Sequence, residues 1–306
     1  MSLDFTGKTV IVTGSGGGLG RSHALEFARR GANVVVNDLG GSVDGSGGSS
    51  EAADAVVKTI IDNGGKAISN GASVTDDKGV ANMVEQTLSE FGRIDVLVNN
   101  AGVLRDKSFS NMSMSDFEFV VDVHLMGTVK TTHAVFPIMK EQNYGRIVVT
   151  TSSSGLYGNF GQSNYGAGKM GVVGMMNTLE LEGAKYNIHV NALAPVAWTR
   201  MTEDLMPPEA EALLTPESVT PAVVFMSSDQ APSGQIICAG AGVFAAAQVV
   251  ETPGKLLGLD AAAEDVAANW EEISDLTEAK PLGMGFEQSA KFLSLIHISE
   301  PTRHHV

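Results

Sequence analysis

Residues 9–20 read Thr-Val-Ile-Val-Thr-Gly-Ser-Gly-Gly-Gly-Leu-Gly, and this stretch decides the fold. Its first five residues are mostly β-branched and apolar, which predicts a short buried β-strand. The glycines that follow favour a tight turn, and apolar side chains recur with helical spacing from about residue 19 to residue 30. A strand, a glycine-rich turn and a helix are the opening unit of a parallel α/β sheet.

Strand-like and helix-like stretches alternate along most of the chain. Short β-branched runs bounded by Gly, Asp or Asn predict further buried strands at 33–37, 94–98, 146–151 and 188–193, with weaker candidates at 66–70 and 235–238. Helical spacing recurs near 51–63, 77–91, 115–140 and 163–185. This order predicts the α/β class, as a Rossmann-type doubly wound parallel sheet with helices on both faces.

Two regions depart from this alternation. Residues 39–50 are rich in Gly and Ser and predict a flexible loop after the second strand. Beyond Ala247 the alternation stops, and 261–276 predicts one amphipathic helix. We therefore predict a main domain over 1–247, a C-terminal extension over 248–290 that packs on it and helps to shape the substrate pocket, and a disordered or non-native tail over 291–306.

The bulk composition limits the classes of partner. A net charge of -15 argues against nucleic acid, whose binding proteins need clustered Lys and Arg, and against an anionic membrane surface. The chain has no apolar run of about 18 residues, so no membrane span is predicted. It has no Cys/His cluster, so no metal site is predicted. The single cysteine, Cys238, and the absence of a secretory signal in residues 1–10 lead us to expect a cytoplasmic protein.

The glycine-rich turn has the context of a dinucleotide site. Backbone N–H groups at the start of a helix can receive a pyrophosphate, and glycines such as Gly14, Gly18 and Gly20 permit close approach. Asp38 follows the second strand, where a carboxylate accepts hydrogen bonds from ribose hydroxyls and repels a 2′-phosphate. A solvated turn acid is the alternative. Because no arginine occurs in 31–50, we predict NAD rather than NADP.

Tyr165 and Lys169 are the candidate proton-transfer pair. They are four residues apart in a predicted helix, so their side chains share one face. A nearby cation favours the phenolate of a tyrosine whose ordinary pKa is about 10. Ser152 precedes Tyr165 by thirteen residues, just past a predicted strand, so its hydroxyl can reach the same site. Chance spacing of the pair and a capping role for the serine are the alternatives.

Four motifs together resemble the short-chain dehydrogenase/reductase family. They are the glycine loop at 13–20, Asn99-Asn-Ala-Gly102 after the fourth strand, Ser152, and Tyr165 with Lys169, in that order. Within the family, the segments 36–41, 102–109 and 156–162 are similar to the (3R)-hydroxyacyl-CoA dehydrogenase part of peroxisomal multifunctional enzyme type 2. The similarity runs from about residue 4 to residue 280.

The resemblance implies a set of roles. Tyr165 is expected to be the general acid/base, Lys169 to lower its pKa and hold the nicotinamide ribose, and Ser152 to bind the substrate oxygen. Ser152 and Tyr165 are also the expected substrate contacts. The implied NAD-binding residues are Gly14, Gly18, Leu19, Gly20, Asp38, Ser73, Val74, Asn100, Ala101, Tyr165, Lys169, Pro195, Ala197 and Thr199.

His124 departs from the wider family, which usually has asparagine on the central helix before Leu-x-Gly. The multifunctional-enzyme branch is similar in having histidine there. A water-linked proton relay through His124 is one hypothesis for a fourth catalytic residue, and a structural histidine with a satisfied ring is the other. The remaining histidines in the main domain lack metal-ligand spacing.

The resemblance implies an oxidoreductase that transfers a hydride between the 3-hydroxyl of a (3R)-hydroxyacyl-CoA and NAD. Alternative functions are a hydroxysteroid dehydrogenase, a 3-oxoacyl carrier-protein reductase, or an NAD(H)-binding regulatory protein without turnover. Met201 and Met206 fall in the segment that the family uses as a substrate lid. Small residues over 166–174 and the 115–140 helix resemble the family's dimer interface, so we expect a homodimer. Arg105 and Lys107 are candidate phosphate contacts or solvated loop charges.

Overall fold

The computed structural model describes residues 3–202 and 208–299 of the chain. It divides into two compact units, Met1–Ala246 and Ala247–Val306. The strands are β1 Thr9–Thr13, β2 Asn33–Asn37, β3 Lys66–Asn70, β4 Val96–Asn99, β5 Gly145–Thr150, β6 Ile188–Pro195, β7 Ile236–Gly240 and β8 Val243–Ala247. The helices of the first unit are α1 Gly18–Arg29, α2 Glu51–Asp62, α3 Asp77–Phe91, α4 Met114–Val121, α5 Gly127–Gln142, α6 Ser153–Tyr157, α7 Ser163–Gly183 and α8 Pro216–Met226.

The strands form one eight-stranded sheet in the order β3-β2-β1-β4-β5-β6-β7-β8. All pairings from β3 to β7 are parallel. The chain order reverses between β1 and β4, which lie side by side. In open α/β sheets a ligand binds beyond the carboxyl ends of the strands at such a switch point. The predicted doubly wound fold is therefore confirmed, and it places the glycine loop after β1 beside the loop after β4.

The core shows why these strands are buried. Alternate valines of the central strands pack in one cluster with Phe27 of α1 and Val223 of α8, both fully buried. The middle strands are buried along their whole length, which is the burial expected of a parallel sheet covered on both faces. Strand β8, which the sequence did not predict, is the edge strand and is mostly exposed.

The Gly/Ser-rich segment 39–50 has a defined conformation where the sequence predicted a flexible loop. One Asp44 carboxylate oxygen accepts hydrogen bonds from Ser42 Oγ at 2.5 Å and from Ser46 N at 3.0 Å. The segment is anchored to the loop after β4, because Leu104 N donates to the carbonyl of Val43 at 3.0 Å. Local side-chain hydrogen bonds and this anchor compensate for the flexibility of its glycines.

A π-helix, Asp122–Met126, separates α4 from α5 where the sequence predicted one continuous helix. Single π-helical turns inside α-helices often mark functional sites. The turn contains His124, whose ring is 1% exposed.

The second unit contains α9 Ala263–Ala268, α10 Trp270–Ile273 and α11 Gly285–Ser299. The single helix predicted over 261–276 is divided at Asn269, whose side chain donates to the carbonyl of Asp265 at 2.7 Å and whose backbone leaves helical geometry. Residues 291–299, in the segment predicted to be a disordered or non-native tail, are helical in α11. Its Lys291 Nζ donates to the carbonyl of Thr252 at 2.8 Å. Residues 300–306 lie outside the described residues.

Candidate active site

The glycine loop is shaped by close backbone contacts. Gly14 has φ +62°, and a Cβ there would lie 2.7 Å from Cα of Ala101. A Cβ on Gly20 would overlap the carbonyl oxygen of Gly14. The Asn100 amide donates both of its hydrogens to the loop, to the carbonyl of Thr13 at 3.0 Å and to that of Gly14 at 2.9 Å. Only glycine fits at Gly14 and Gly20, and Asn100 holds the loop in place.

Asp38 lies at the carboxyl end of β2 and faces the same loop. Its Oδ2 accepts a hydrogen bond from Gly16 N at 2.7 Å, and its Oδ1 accepts one from Gly40 N at 2.7 Å. A carboxylate has about four lone-pair sites, so two acceptor positions stay open after these bonds. The side chain is half-buried and lines a cavity. It therefore braces the loop and still has acceptors for a ligand.

We call this space the glycine-loop cavity, which has a volume of about 270 Å³. Its only charged lining residues in the described part of the chain are Asp38 and Arg200. The predicted cofactor residues that line it are Gly14, Gly18, Leu19, Asp38, Ser73, Val74, Asn100, Ala101 and Thr199. Gly20 does not line it, because Gly20 packs against the carbonyl oxygen of Gly14.

A second space, the catalytic cavity, also has a volume of about 270 Å³. Ser152, Tyr165, Lys169 and His124 all line it, as do Pro195, Ala197 and Thr199. Leu19, Asn100 and Thr199 line both cavities, so the two spaces adjoin. The structure thus brings together every predicted site residue except Gly20. Met201 also lines both cavities, whereas Met206 lies outside the described residues.

Local sequence explains how the catalytic residues are presented. Ser152 caps α6, and its Oγ accepts a hydrogen bond from Ser154 N at 3.2 Å. Tyr165 is in the first turn of α7, and Lys169 follows one turn later on the same face. Lys169 is 4% exposed, and its Nζ donates to the carbonyl of Thr150 at 2.6 Å. The same Nζ lies 5.5 Å from the centroid of the Tyr165 ring.

Burial dominates the protonation of this pair. It raises the pKa of Tyr165, an effect that the neighbouring Ser152 hydroxyl opposes and the Asp106 carboxylate reinforces. Burial also lowers the pKa of Lys169 to about 7. Burial therefore acts against the predicted lowering of the Tyr165 pKa by Lys169, and that role of Lys169 stays a prediction. The ammonium is itself desolvated and bonded to a backbone carbonyl, so burial shifts both groups toward their neutral forms.

His124 packs edge-to-face on Tyr165, with ring centroids 4.9 Å apart and planes at 85°. Its Nε2 lies 2.8 Å from the carbonyl oxygen of Val103. Burial, with a smaller contribution from Lys169, holds the pKa of His124 well below its usual range, so the ring is neutral. Its Nδ1 is buried and has no hydrogen-bond partner among the described residues. The ring is thus partly satisfied and leaves one nitrogen in the catalytic centre.

The structure adds lining residues that the sequence analysis did not single out. Arg200, an exposed side chain, lines the glycine-loop cavity with its Nη2 3.9 Å from the position that a Cβ on Gly17 would take. Asn159 and Gln162 line the catalytic cavity. Both amides fall in the 156–162 segment, whose family resemblance could have identified them as site residues. Nothing in the sequence pattern distinguished Arg200 from other surface arginines.

Other kinds of site find no support in the part of the chain that the structure describes. Within residues 3–202 and 208–299, no group of His, Cys, Asp and Glu is arranged to hold a metal ion. Among the same residues, no helix has both the length and the apolar character needed to cross a bilayer. Arg105 and Lys107 both contact Asp116, at 3.2 and 3.3 Å, so they are paired within the chain.

Comparison with known proteins agrees with this geometry. The model of the short chain dehydrogenase family matches residues 8–210. A short-chain type dehydrogenase/reductase of Mycobacterium tuberculosis is 49% identical over 277 residues, which cover 90% of this chain and 97% of that protein. The structure of full-length peroxisomal multifunctional enzyme type 2 from Drosophila melanogaster matches 97% of this chain with 39% identity and a TM-score of 0.82.

The Drosophila enzyme is a longer protein, and this chain covers 50% of it. A third similar structure is a 7α-hydroxysteroid dehydrogenase in complex with NADH and a 7-oxo bile acid. It is 28% identical, matches 78% of this chain and 95% of that one, and has a TM-score of 0.70.

Proposed function

This chain belongs to the short-chain dehydrogenase family, and on that basis we propose that it oxidises the 3-hydroxyl of a (3R)-hydroxyacyl-CoA with NAD. It is an oxidoreductase that uses a nicotinamide nucleotide, as the family membership implies. The observation that carries the proposal is that Ser152, Tyr165 and Lys169 line one cavity and that this cavity adjoins the glycine-loop cavity.

The residues of the glycine-loop cavity fit a dinucleotide. The loop offers backbone N–H groups at the start of α1, and the space beside Gly17 is open, since only Nη2 of Arg200 lies within 4 Å of a Cβ placed there. Asp38 would accept hydrogen bonds from ribose hydroxyls, and Arg200 would lie near the negative charge of the diphosphate. When bound, the nicotinamide ring supplies the hydride acceptor. Thr199 and Asn100 line both cavities, so they would lie where the cofactor meets the substrate.

The proposal for NAD over NADP rests on Asp38. A carboxylate at the end of β2 repels the 2′-phosphate of NADP. We expect Asp38→Asn to reduce the preference for NAD over NADP by about tenfold or more, because the like-charge repulsion is removed. The measurement is kcat/KM with each cofactor. Asp54→Asn on α2 is the control, since that carboxylate bonds Ser69 and does not line the cavity. An unchanged preference in Asp38→Asn would remove the assigned role.

Tyr165 is proposed to take the proton of the 3-hydroxyl as the alcohol is oxidised. Ser152 would donate a hydrogen bond to the substrate oxygen and hold it against the phenol. Because the pKa of Tyr165 is raised, the phenol is protonated at neutral pH, which suits reduction of a ketone. Oxidation needs the deprotonated form, so its rate is expected to rise with pH up to the pKa of the tyrosine. Initial rates in both directions across the pH range measure this.

His124 is included as a proposed fourth catalytic residue. Its neutral ring contacts Tyr165, and the unpartnered Nδ1 can accept a hydrogen bond from a water in the catalytic cavity. A relay through that nitrogen predicts that His124→Phe, which preserves the ring contact, lowers kcat by about tenfold or more. A rate equal to the parent's would instead assign His124 a packing role.

The acyl thioester substrate is the part of the proposal that comes from the relatives. The resemblance of segments 36–41, 102–109 and 156–162 to the multifunctional enzyme implies the acyl thioester class, while the hydroxysteroid dehydrogenase with its bound 7-oxo ligand supports the alternative. A 3-oxoacyl carrier-protein reductase is less favoured, because Asp38 disfavours NADPH. A non-catalytic NAD(H)-binding protein would have no need for Ser152, Tyr165 and Lys169 in one cavity.

A substrate panel tests this assignment. NADH formation is followed with hydroxyacyl-CoAs, 17β- and 7α-hydroxysteroids, and a 3-hydroxyacyl carrier protein at equal concentrations. We expect kcat/KM to be largest for a hydroxyacyl-CoA. A larger value for a steroid would replace the substrate class and leave the hydride-transfer site intact. No turnover of any alcohol, with NADH binding preserved, would favour the regulatory alternative.

We also propose a homodimer through α5 and α7. The small residues cited for this interface are partly used within the chain: Gly168 and Gly171 lie against His124 and Leu125 of the π-helix. The outer face carries a groove of about 570 Å³ lined by residues that include Phe136, Met175 and Leu179. A second copy is the expected occupant, as the family resemblance implies. Sedimentation of the parent protein should show a dimer, and Leu179→Asp should dissociate it. A parent protein that sediments as a monomer would refute the proposal.

A cytoplasmic location is the last element of the proposal. The single cysteine, Cys238, is free, which suits a reducing compartment. A similar protein of Mus musculus is named peroxisomal multifunctional enzyme type 2, so the peroxisome is the alternative compartment. Microscopy of the protein carrying an internal tag in an exposed loop distinguishes diffuse cytoplasmic signal from a punctate one.

A further inference from the structure

Asn159 and Gln162 form a connected pair of amides in the wall of the catalytic cavity, and we call them the amide pair. Asn159 Nδ2 donates to Gln162 Oε1 at 3.0 Å. Gln162 Nε2 donates to Asp106 Oδ2 at 2.6 Å. Gln162 is 6% exposed and lies three residues before Tyr165, at the start of α7. The pair thus lines the same cavity as Tyr165 and is hydrogen-bonded to the carboxylate of Asp106.

Asp106 fixes the orientation of both amides. A carboxylate can only accept hydrogen bonds, so the nitrogen end of Gln162 must face it and the oxygen end must face Asn159. In turn, the nitrogen end of Asn159 must face Gln162. Asp106 has no cationic partner among the described residues, since its neighbours Arg105 and Lys107 pair with Asp116. The network has one consistent arrangement, which keeps two amide hydrogens in defined places.

The loop that carries the pair is itself held. Gly158 and Gly161 have φ angles of +80° and +82°, which set the course of the chain around Asn159. Lys107 N donates to the carbonyl of Gly161 at 2.9 Å, so the loop is fastened to the segment that contains Asp106. A site whose donors are fixed before the ligand arrives loses less conformational freedom on binding.

The hydrogen-bond count shows what the pair has to offer. An amide NH₂ group has two hydrogens. Asn100, the other amide of this cavity, uses both on the glycine loop. Asn159 and Gln162 each use one within the network, and their second hydrogens have no acceptor in the described part of the chain. One hydrogen of each amide is therefore available for a ligand, on residues that line the catalytic cavity together with Ser152 and Tyr165.

We propose that the amide pair binds the thioester carbonyl oxygen of the substrate, with Asn159 as the specificity-determining residue and Asp106 as a positioning residue. This inference rests on the proposed function. In a 3-hydroxyacyl thioester, the carbonyl carbon is two carbons from the alcohol that Ser152 and Tyr165 engage. A carbonyl oxygen needs donors, and a secondary alcohol without that carbonyl would leave the amide hydrogens unpaired.

The test compares a thioester with an analogue that lacks only its carbonyl oxygen. The substrate is a 3-oxoacyl thioester of N-acetylcysteamine, and the inhibitor is the thioether in which CH₂ replaces the thioester carbonyl. We expect the parent to bind the thioester about tenfold more tightly than the thioether, as one lost hydrogen bond predicts. Asn159→Leu should raise KM for the thioester about tenfold, leave the Ki of the thioether unchanged, and alter kcat by less than threefold.

Two controls separate recognition from folding. Asn111→Leu removes an exposed amide that bonds Ser108 and does not line the cavity, so it should change neither constant. Asp106→Ala should reduce the same thioester-to-thioether ratio, and Asp106→Asn should restore part of it, because the amide oxygen can accept from Gln162. The affinity for NADH, measured by fluorescence, should be unchanged in every variant.

Retention of the tenfold preference in Asn159→Leu would overturn the inference, as would an equal loss of affinity for both compounds. Failure of the proposed function has a different outcome. A parent protein that turns over a steroid and no thioester would refute the substrate class before any variant is compared.

Discussion

The two ends of the parallel sheet bury charged side chains in opposite ways. At the amino ends of β4 and β5, the charges of Asp95 and Arg146 are surrounded by partners. At the carboxyl ends of β5 and β4, Lys169 and His124 are buried with few partners and with shifted pKa values. The degree of burial is similar, since Arg146 is 2% exposed and Lys169 is 4% exposed.

The amino end is a polar network in which both charges are paired, although Oγ1 of Thr9 there is buried without a partner among the described residues. Asp95 accepts hydrogen bonds from Thr9 N at 2.9 Å and from the Arg93 guanidinium at 2.6 and 2.7 Å. Arg146 donates to the carbonyls of Gly145, Asn187 and Ser228 at 2.7 to 3.0 Å. Tyr144 is stacked against Arg146, 4.4 Å from its guanidinium carbon. This network joins three strands at the end of the sheet away from both cavities.

The carboxyl end leaves polar atoms without partners. Nδ1 of His124 and Oγ1 of Thr150 are buried and unbonded within the described residues. Lys169 has one hydrogen bond from Nζ, to a carbonyl, and no carboxylate partner in that part of the chain. Unpaired groups of this kind lower stability and are retained where a ligand or a reaction uses them. We infer that one end of the sheet holds the fold together and that the other performs the chemistry.

The largest expected effect comes from replacing the buried cation at the carboxyl end. Lys169→Met should lower kcat for alcohol oxidation by about a thousandfold, because the charged partner of Tyr165 is lost. The same change should leave the free energy of unfolding within about 1 kcal/mol of the parent, since it removes a desolvated charge. Steady-state kinetics and urea unfolding measure the two effects. A large loss of stability with retained kcat would break the comparison.

The matched replacement at the amino end should give the reverse result. Arg146→Met removes the guanidinium donors to the carbonyls of Asn187 and Ser228, each of which keeps only one backbone donor, and this should lower the free energy of unfolding by about 3 kcal/mol. The kcat of the folded fraction should stay within about twofold of the parent, because neither cavity includes Arg146. Equal stability of the variant and the parent would show that this network is not structural.

A third, smaller effect depends on pH. His23 of α1 is fully buried against Thr220, with Nδ1 2.8 Å from its hydroxyl, and burial lowers its pKa to about 3. The unfolded chain binds a proton near pH ~6.5, whereas the folded chain does not, so stability is complete above that pH. It should fall by about 1.4 kcal/mol per pH unit as the pH drops from ~6.5 toward ~3.

The free energy of unfolding at pH 7.5 and 5.5 checks this contribution. His23→Gln should reduce the loss between these two pH values by about 1.4 kcal/mol. Thr220→Val, which removes the hydrogen-bond partner and keeps the histidine, should be less stable at both pH values with the parental difference between them. If the free energy of unfolding of His23→Gln falls between pH 7.5 and 5.5 as much as that of the parent, other buried groups such as His124 account for the fall.

Much of the fold could be predicted from local patterns. Strands β1, β2, β4 and β5 are short runs rich in β-branched residues, whereas β3, Lys-Ala-Ile-Ser-Asn, was a weaker candidate. The context of the glycine loop indicated the binding edge of the sheet. Strand β8 was missed because its sequence, Val-Phe-Ala-Ala-Ala, is short and has an exposed edge position without alternation. The break at Asn269 was missed because a single side-chain bond to the backbone outweighed a continuous apolar pattern.

The site was predicted in its residues and less well in its electrostatics. Spacing on a helix placed Lys169 beside Tyr165, but it could not show that both are desolvated and that burial outweighs their mutual attraction. The orientation of Asn159 and Gln162 depends on Asp106, which is more than fifty residues earlier in the chain. Contacts across that distance follow from the fold and have no local sequence pattern.

We propose that the carboxyl end of the sheet is a hydride-transfer site for a (3R)-hydroxyacyl thioester with Tyr165 as the base. The most direct test is NADH formation from NAD and each enantiomer of a 3-hydroxyacyl-CoA, by the parent and by Tyr165→Phe. The parent should act on the (3R) enantiomer, and Tyr165→Phe should bind NADH normally while losing about a thousandfold in kcat. Equal rates for the two proteins, or oxidation of only the (3S) enantiomer, would contradict the account.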